Sequence, residues 1–352
     1  MNLRISFLAA MLATTQAAAQ DSPPDTIPQA ELVRRLTTTL DSLAARDEFS
    51  GVAILARNGV PVMERAYGMA DREANRPNTL DTRFNLGSIN KVFTATAIRQ
   101  LAAQGKLNLD STLATYWPDY PNPDVARRVT IRQLMEHKAG LGGNVFGVPA
   151  SGSRMTLRHN RDFVPLFAAE PLQFEPGSRN RYCNACYVVL GGLVERLSGQ
   201  DYYEYVRQNV LAPAGMSSTG HYALDSLPAN TATGYTRGQD GSGPLRRNDD
   251  QLPGRGSAAG GGYSTARDLL KFFAALREQR IPGGPPAAFG GAGGSGGVNA
   301  VMLGGLPGGY DLVVMANLDP PAATRIADMV GAWMGLELDG WPLPQFHAEA
   351  QG

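Results

Sequence analysis

Phe84-Asn-Leu-Gly-Ser88-Ile-Asn-Lys91-Val-Phe-Thr-Ala-Thr-Ala-Ile98 is the stretch that decides how this chain is read. Gly87 ends an extended segment, and Ser88 to Leu101 has helical composition, so Ser88 falls on the first turn of a helix. Residue i+3 shares a helix face, which points Lys91 at the Ser88 hydroxyl. A serine hydroxyl is a poor nucleophile until a neighbour takes its proton. Lysine does that when burial lowers its pKa; arginine stays charged in proteins and does not. The background sharpens the signal. Of 32 Lys and Arg residues only four are Lys (Lys91, Lys106, Lys138 and Lys271), and only Lys91 completes a Ser-x-x-Lys. A helix N-terminus also presents backbone N–H groups to a developing oxyanion. On this motif alone, an exposed helix start with Ser88 as N-cap is an equal reading.

Around that stretch lie 352 residues, enough for one large domain or two ordinary ones. Thirty-two basic and 32 acidic residues cancel to zero net charge, which excludes the basic excess of a nucleic-acid-binding protein. Glycine is in excess: twelve of the 41 fall between Gly283 and Gly309. No G-x-y period runs through them, so collagen is excluded. Either that stretch is a flexible linker, or its backbone does something side chains would obstruct.

The first twenty residues, MNLRISFLAAMLATTQAAAQ, have Arg4 ahead of a short apolar run and small residues at Ala17-Ala18-Ala19. This predicts a cleaved signal peptide over residues 1–19, and a secreted or periplasmic protein. Residues 20–28 form a Pro-rich lead-in. No later segment approaches the roughly eighteen unbroken apolar residues of a spanning helix, so no stable membrane insertion is expected. Two cysteines, Cys183 and Cys186, exclude a disulfide framework. Three residues apart at a helix start, they come within bonding range. Two small thiols buried in a helix are the favoured reading. His137, His159, His221 and His347 are scattered and none sits beside the cysteines, so no metal is expected, nor any cofactor.

Leu32, Leu36, Leu40 and Leu43 space an amphipathic helix over 28–46. Gly51–Arg57 and Val60–Tyr67, joined by Asn58-Gly59, read as a hairpin. Val298–Leu303 and Tyr310–Leu318 read as two more strands, and Pro321–Met334 as a closing helix. Between them lie helical patterns at Ile131–His137, Cys186–Leu197 and Thr265–Arg277, separated by Pro- and Gly-rich loops. No repeat recurs. The pattern predicts an α+β fold: one antiparallel sheet completed by both chain ends and flanked by terminal helices, with a mainly helical insertion. We expect one catalytic domain over 29–345, its sheet part about 29–87 and 280–340 and the insertion about 88–279. The seam between the two parts is the expected site.

Phe174-Glu-Pro-Gly-Ser-Arg-Asn-Arg-Tyr182-Cys-Asn184 supplies the second element. Tyr182 has a proton to shuttle, and Asn184 offers both donor and acceptor to a substrate amide. A second Tyr-x-Asn, Tyr120-Pro-Asn122, has Pro at its centre and reads as loop with no helix after it.

With these residues in view, the chain resembles the serine β-lactamase and penicillin-binding-protein superfamily, in its branch of class C β-lactamases, D-aminopeptidases and esterases. The likeness runs from about Gly51 to Asn317. It includes Thr82-Arg-Phe84, Gln104-Gly-Lys-Leu-Asn-Leu-Asp110, Thr130-Ile-Arg-Gln-Leu-Met-Glu-His137-Lys-Ala-Gly-Leu141, Leu211-Ala-Pro-Ala-Gly-Met216 and Ala258-Ala-Gly-Gly-Gly-Tyr-Ser-Thr-Ala-Arg-Asp268. The resemblance implies the β-lactamase/transpeptidase-like fold. It implies Ser88 as the nucleophile forming an acyl-enzyme, Lys91 as base, Tyr182 as proton relay and Asn184 as a substrate-binding residue.

Two departures stand out. Relatives carry Lys-Thr-Gly, His-x-Gly or Trp-Gly-Gly on a strand facing the serine. The matching stretch here is Phe289-Gly-Gly-Ala-Gly-Gly-Ser-Gly-Gly297. In this register Gly291 replaces the Lys or His, Gly293 keeps the glycine, and the Gly294 N–H joins the Ser88 N–H in binding the oxyanion. A cation for a substrate carboxylate is missing, which favours a neutral ester over a β-lactam or a D-Ala-D-Ala peptide. Where relatives have His-Thr-Ser-Gly, this chain has His137-Lys-Ala-Gly140, and His137 reads as a satisfied buried polar group. The expected partner is a small-molecule ester, amide or peptidoglycan-like substrate. A secreted esterase-like serine hydrolase leads. A β-lactamase or carboxypeptidase is the rival on the same fold, and a catalytically impaired peptidoglycan- or β-lactam-binding protein the rival from another class.

Overall fold

The computed structural model describes residues 27–336 except 151, 239, 240 and 242. The expected signal peptide, most of the lead-in and residues 337–345 lie outside the described residues. The chain opens with helix α1 (Gln29–Ala45), whose Leu32, Leu36, Leu40 and Leu43 are all buried. Strands β1 (Gly51–Arg57) and β2 (Val60–Tyr67) follow as the expected hairpin. Its turn places Asn58 at φ 51° and Gly59 at φ 80°, the double positive φ that two-residue hairpins need to match strand twist.

Helix α2 (Asn90–Ala103) is preceded by a 3₁₀ turn at Gly87–Ile89. The expected helix therefore starts with a tightened turn, closed by the Ile89 N–H on the Leu86 carbonyl at 3.2 Å. The insertion continues through helices α3 (Asn184–Ser198) and α4 (Ala266–Arg277). Thr265 caps α4 by accepting the Asp268 N–H, and Gly199 ends α3 in the left-handed region at φ 72°. The chain then returns through β3 (Phe289–Ser295), β4 (Val298–Leu306), β5 (Tyr310–Ala316) and α5 (Thr324–Trp333).

The five strands form one antiparallel sheet in the order β2-β1-β5-β4-β3. Both of its faces are covered, and the pleat sorts the side chains between them. Ala53, Leu55, Val301, Leu303, Leu312 and Val314 pack with α1 and α5. Val52, Ile54, Ala300, Met302, Val313 and Met315 face the other way, into the larger core shared with α2 and α4. Each fully buried Leu of α1 contributes about 1.5–3 kcal/mol. No helix among the described residues is long and apolar enough to cross a membrane.

β3 was not legible as a strand from its periodicity, because five of its seven residues are Gly or Ala. It lies at the sheet edge, where alternate N–H and C=O groups have no neighbouring strand to pair with. That open edge runs past the Gly87–Ile89 turn. The second Tyr-x-Asn needs a correction: a short helix, Pro123–Arg128, does follow it. Asn122 is its N-cap, accepting from the N–H groups of Asp124 and Val125. Its side chain is thus committed locally.

Candidate active site

Ser88 sits half-buried on the 3₁₀ turn, at the seam between sheet and insertion. Gly87 makes the turn at φ 48°, and its N–H donates to Asn85 Oδ1 at 2.9 Å. One helical turn later, Lys91 Nζ lies 3.0 Å from Ser88 Oγ. It also donates to Asn184 Oδ1 at 2.7 Å and to the carbonyl of Ala259 at 2.6 Å. Lys91 is 3% exposed, and this burial holds its pKa well below the ordinary lysine value. Its nearest ring faces are those of Tyr182, 4.7 Å from Nζ, and Tyr187, at 5.5 Å.

Tyr182 donates its hydroxyl to Ser88 Oγ at 2.6 Å. Burial pushes its pKa upward, so it holds its proton at neutral pH, although the Ser88 bond pulls the other way. The turn before α3 thus brings Tyr182 and Asn184 to Ser88 and Lys91 across more than ninety residues of chain. His137 stacks on both Tyr182 and Tyr187, with ring centroids 4.8 and 5.1 Å away. Its Nδ1 accepts the Cys183 N–H at 3.1 Å. Burial lowers its pKa to about 4, so it is neutral at pH 7. It is a buried, bonded group that holds the Tyr182 turn.

Cys183 and Cys186 form a disulfide, which corrects the expectation of two buried thiols. Cys183 is the extended N-cap of α3 and Cys186 lies on its first turn. That geometry puts the Cα atoms 5.4 Å apart, within the bonding range. Backbone geometry at a cap is not carried by residue spacing alone.

Three of the four glycines of β3, Gly291, Gly293 and Gly294, have different surroundings. A Cβ on Gly293 would stand 2.1 Å from the Leu86 carbonyl and 2.6 Å from the Ser88 nitrogen. Gly293 therefore packs directly on the backbone of the Gly87–Ile89 turn. A Cβ on Gly87 would come within 3.0 Å of the Gly294 nitrogen, which places that N–H beside the same turn. Gly291 differs. The atoms nearest to a Cβ there would be carbons of Met302, Val92 and Ile89, at 3.6–3.8 Å. Its nearest neighbours supply no cation, and packing does not demand a glycine.

Two contributors could not be read from residue identity. The Ala259 carbonyl is a backbone acceptor with no side-chain signature. The cavity beside Tyr182 is assembled from segments around residues 140–146, 173–174 and 181–185.

An α+β fold with a serine, a buried lysine and a tyrosine in mutual contact at the seam defines the class of serine β-lactamases and penicillin-binding proteins. The chain belongs to the Beta-lactamase family, whose model matches residues 34–332, and is a serine hydrolase of that family. It is 33% identical over 367 residues to the esterase EstB of Burkholderia gladioli, covering 92% of this chain and 90% of that one. It is 31% identical over 234 residues to PbpX of Bacillus subtilis (strain 168), which is named as a penicillin-binding protein. That match covers 66% of this chain but only 56% of PbpX. The crystal structure of a penicillin binding protein from Bacillus halodurans superposes with a TM-score of 0.74 at 32% identity, covering 83% of this chain and 98% of that one.

Proposed function

We propose that this protein is an esterase-like serine hydrolase that works through an acyl-enzyme on Ser88. The observation that carries this reading is the continuous hydrogen-bonded chain from Tyr182 through Ser88 to a buried Lys91. A neutral lysine amine has two N–H bonds and one lone pair. The carbonyl oxygens of Asn184 and Ala259 accept hydrogen bonds and donate none, so they take the two N–H bonds. The lone pair is left facing Ser88 Oγ, as a general base requires.

In acylation, Ser88 Oγ bonds to the acyl carbon while its proton moves to Lys91 Nζ. The ammonium so formed rests against the faces of Tyr182 and Tyr187, which favour a cation. The oxyanion is met by the Ser88 and Gly294 N–H groups. As the bond to the leaving oxygen breaks, Tyr182 protonates that oxygen and is reprotonated from Lys91. Deacylation runs the same path with water: its oxygen bonds to the acyl carbon, and its proton returns to Ser88 as that bond breaks. Asn184 orients the acyl group.

Gly291 and its apolar surroundings favour a substrate without a carboxylate on the leaving-group side. The likeness to an esterase along nearly the whole of both chains supports the same choice. The first nineteen residues support a secreted or periplasmic location. Turnover of a short-chain 4-nitrophenyl ester, a penicillin and a D-Ala-D-Ala peptide tests this reading. The ester is expected to turn over with the highest kcat/KM. Faster turnover of the penicillin or the peptide would hand the assignment to a β-lactamase or carboxypeptidase. A stable adduct that never turns over would mark a binding protein.

The β3 glycines give a paired test. Gly293→Ala forces a carbon into the Ser88 backbone, and should lower kcat/KM by on the order of 10²–10³, as losing an oxyanion donor does. Gly291→Ala, whose contacts are ordinary, should leave it nearly unchanged. Comparable losses in both variants, with folded circular dichroism spectra, would refute the assigned register.

A further inference from the structure

Beside Tyr182 and Asn184 lies a cavity of about 150 Å³. Whole-ligand pockets hold about 300–1,000 Å³, so this one takes a single short arm of a substrate. Asn184 and Tyr182, which line it, also touch Lys91 and Ser88, so the cavity lies one side chain from the Ser88 hydroxyl, on the side assigned to the acyl group. Leu141, Val145, Phe146 and Phe174 give it an apolar strip suited to methylenes, beside the polar side chains of Asn144, Gln173 and Asn184.

Arg181 is the one charged residue among those lining the cavity. It is exposed and held at both ends: its backbone N–H donates to the His137 carbonyl at 2.9 Å, and its guanidinium donates to Gln173 Oε1. Among the described residues it has no ion-pair partner. Two nearby acids are engaged elsewhere, Glu136 with Lys138 and Glu175 with Arg128. Glu170, whose Cγ would stand 3.4 Å from a Cβ on Gly143, is exposed and does not line the cavity. A positioned guanidinium with no ion-pair partner, at the side of a slot of mixed polar and apolar walls, is suited to receive a carboxylate.

We propose that Arg181 binds a carboxylate at the far end of the acyl chain, so that the preferred substrates are monoesters of short dicarboxylic acids. This rests on the acyl-enzyme reading above. Anion recognition would then lie on the acyl side of the scissile bond, and not at position 291 on the leaving-group side.

The test compares 4-nitrophenyl pentanoate with the mono-4-nitrophenyl ester of glutaric acid, which differ only in a terminal methyl or carboxylate. Wild type is expected to favour the glutarate ester through a lower KM at similar kcat. Arg181→Gln should lose about tenfold in kcat/KM on the glutarate ester, the scale of one exposed charge-assisted contact, with little change on the pentanoate. Raising the salt concentration should erode the wild-type preference and leave the variant untouched. Arg181→Glu should invert the preference, favouring an acyl chain that ends in trimethylammonium. Equal turnover of the two esters by wild type, or equal losses on both in Arg181→Gln, would overturn the proposal while leaving the hydrolase intact. If wild type hydrolyses neither ester and Ser88 takes no acyl group, the acyl-enzyme reading itself fails.

Discussion

Ser88→Ala is expected to lower ester turnover by on the order of 10⁴–10⁶, the scale seen when a serine nucleophile is removed from a working constellation. The loss should appear in kcat, because the hydroxyl forms its covalent bond only as the reaction proceeds. Folding should be spared. Ser88 is half-buried and its hydroxyl meets only Lys91 and Tyr182 in the hydrogen bonds described. Removing it leaves the Tyr182 hydroxyl without that acceptor, at a cost of about 1–3 kcal/mol at most. A kcat for Ser88→Ala within tenfold of wild type would remove Ser88 from the mechanism.

Lys91 carries the second large effect. Lys91→Met keeps the length and apolar stem of the side chain but cannot accept a proton, and should cost about 10²–10⁴ in kcat/KM, the range of a general base. Lys91→Arg should be equally inactive and should not recover at high pH, because a guanidinium stays protonated. The pH dependence follows from the burial of Lys91, which lowers its pKa. Activity should rise with pH along a limb set well below the usual ~10.4 of lysine. Stability carries the same signature. Between the folded value and the unfolded value the unfolded chain binds a proton that the folded chain does not. The free energy of unfolding therefore rises with pH through that window, and the penalty is fully present below the folded value. Lys91→Met lacks this slope, so its stability relative to wild type should fall as pH is raised from 7 toward 10. Urea unfolding across that range checks the sign. Parallel pH profiles for the two proteins would mean that Lys91 stays charged in its site.

How much of this was legible in the sequence depends on what carries the signal. The Asn58-Gly59 hairpin and the leucine spacing of α1 are local, period-encoded features, and both elements formed where the pattern placed them. Ser88 and Lys91 were legible as a pair because i and i+3 fix their contact within one turn. Tyr182 and Asn184 were not, because a Tyr-x-Asn also occurs at Tyr120, where the asparagine merely caps a helix. The central Pro and the expected lack of a following helix set Tyr120-Pro-Asn122 aside, but a helix does follow it, and only the resemblance gave Tyr182 and Asn184 their roles. β3 was placed by the resemblance and not by periodicity, because glycine has no side chain to alternate and a strand made of it has no period. Gly293 is explained by what it approaches, since it leaves no room for a Cβ between the strand and the turn that carries Ser88. The disulfide, the Ala259 carbonyl and the Arg181 cavity depend on backbone placement and on segments distant in sequence. Composition and spacing do not encode these.

Intact-mass measurement after incubation with a fluorophosphonate probe, run on wild type and Ser88→Ala side by side, tests the central claim most directly. A single adduct is expected on wild type, mapped by peptide digestion to the segment containing Ser88, and none on the variant. No adduct on wild type, or the same adduct on both proteins, would contradict it.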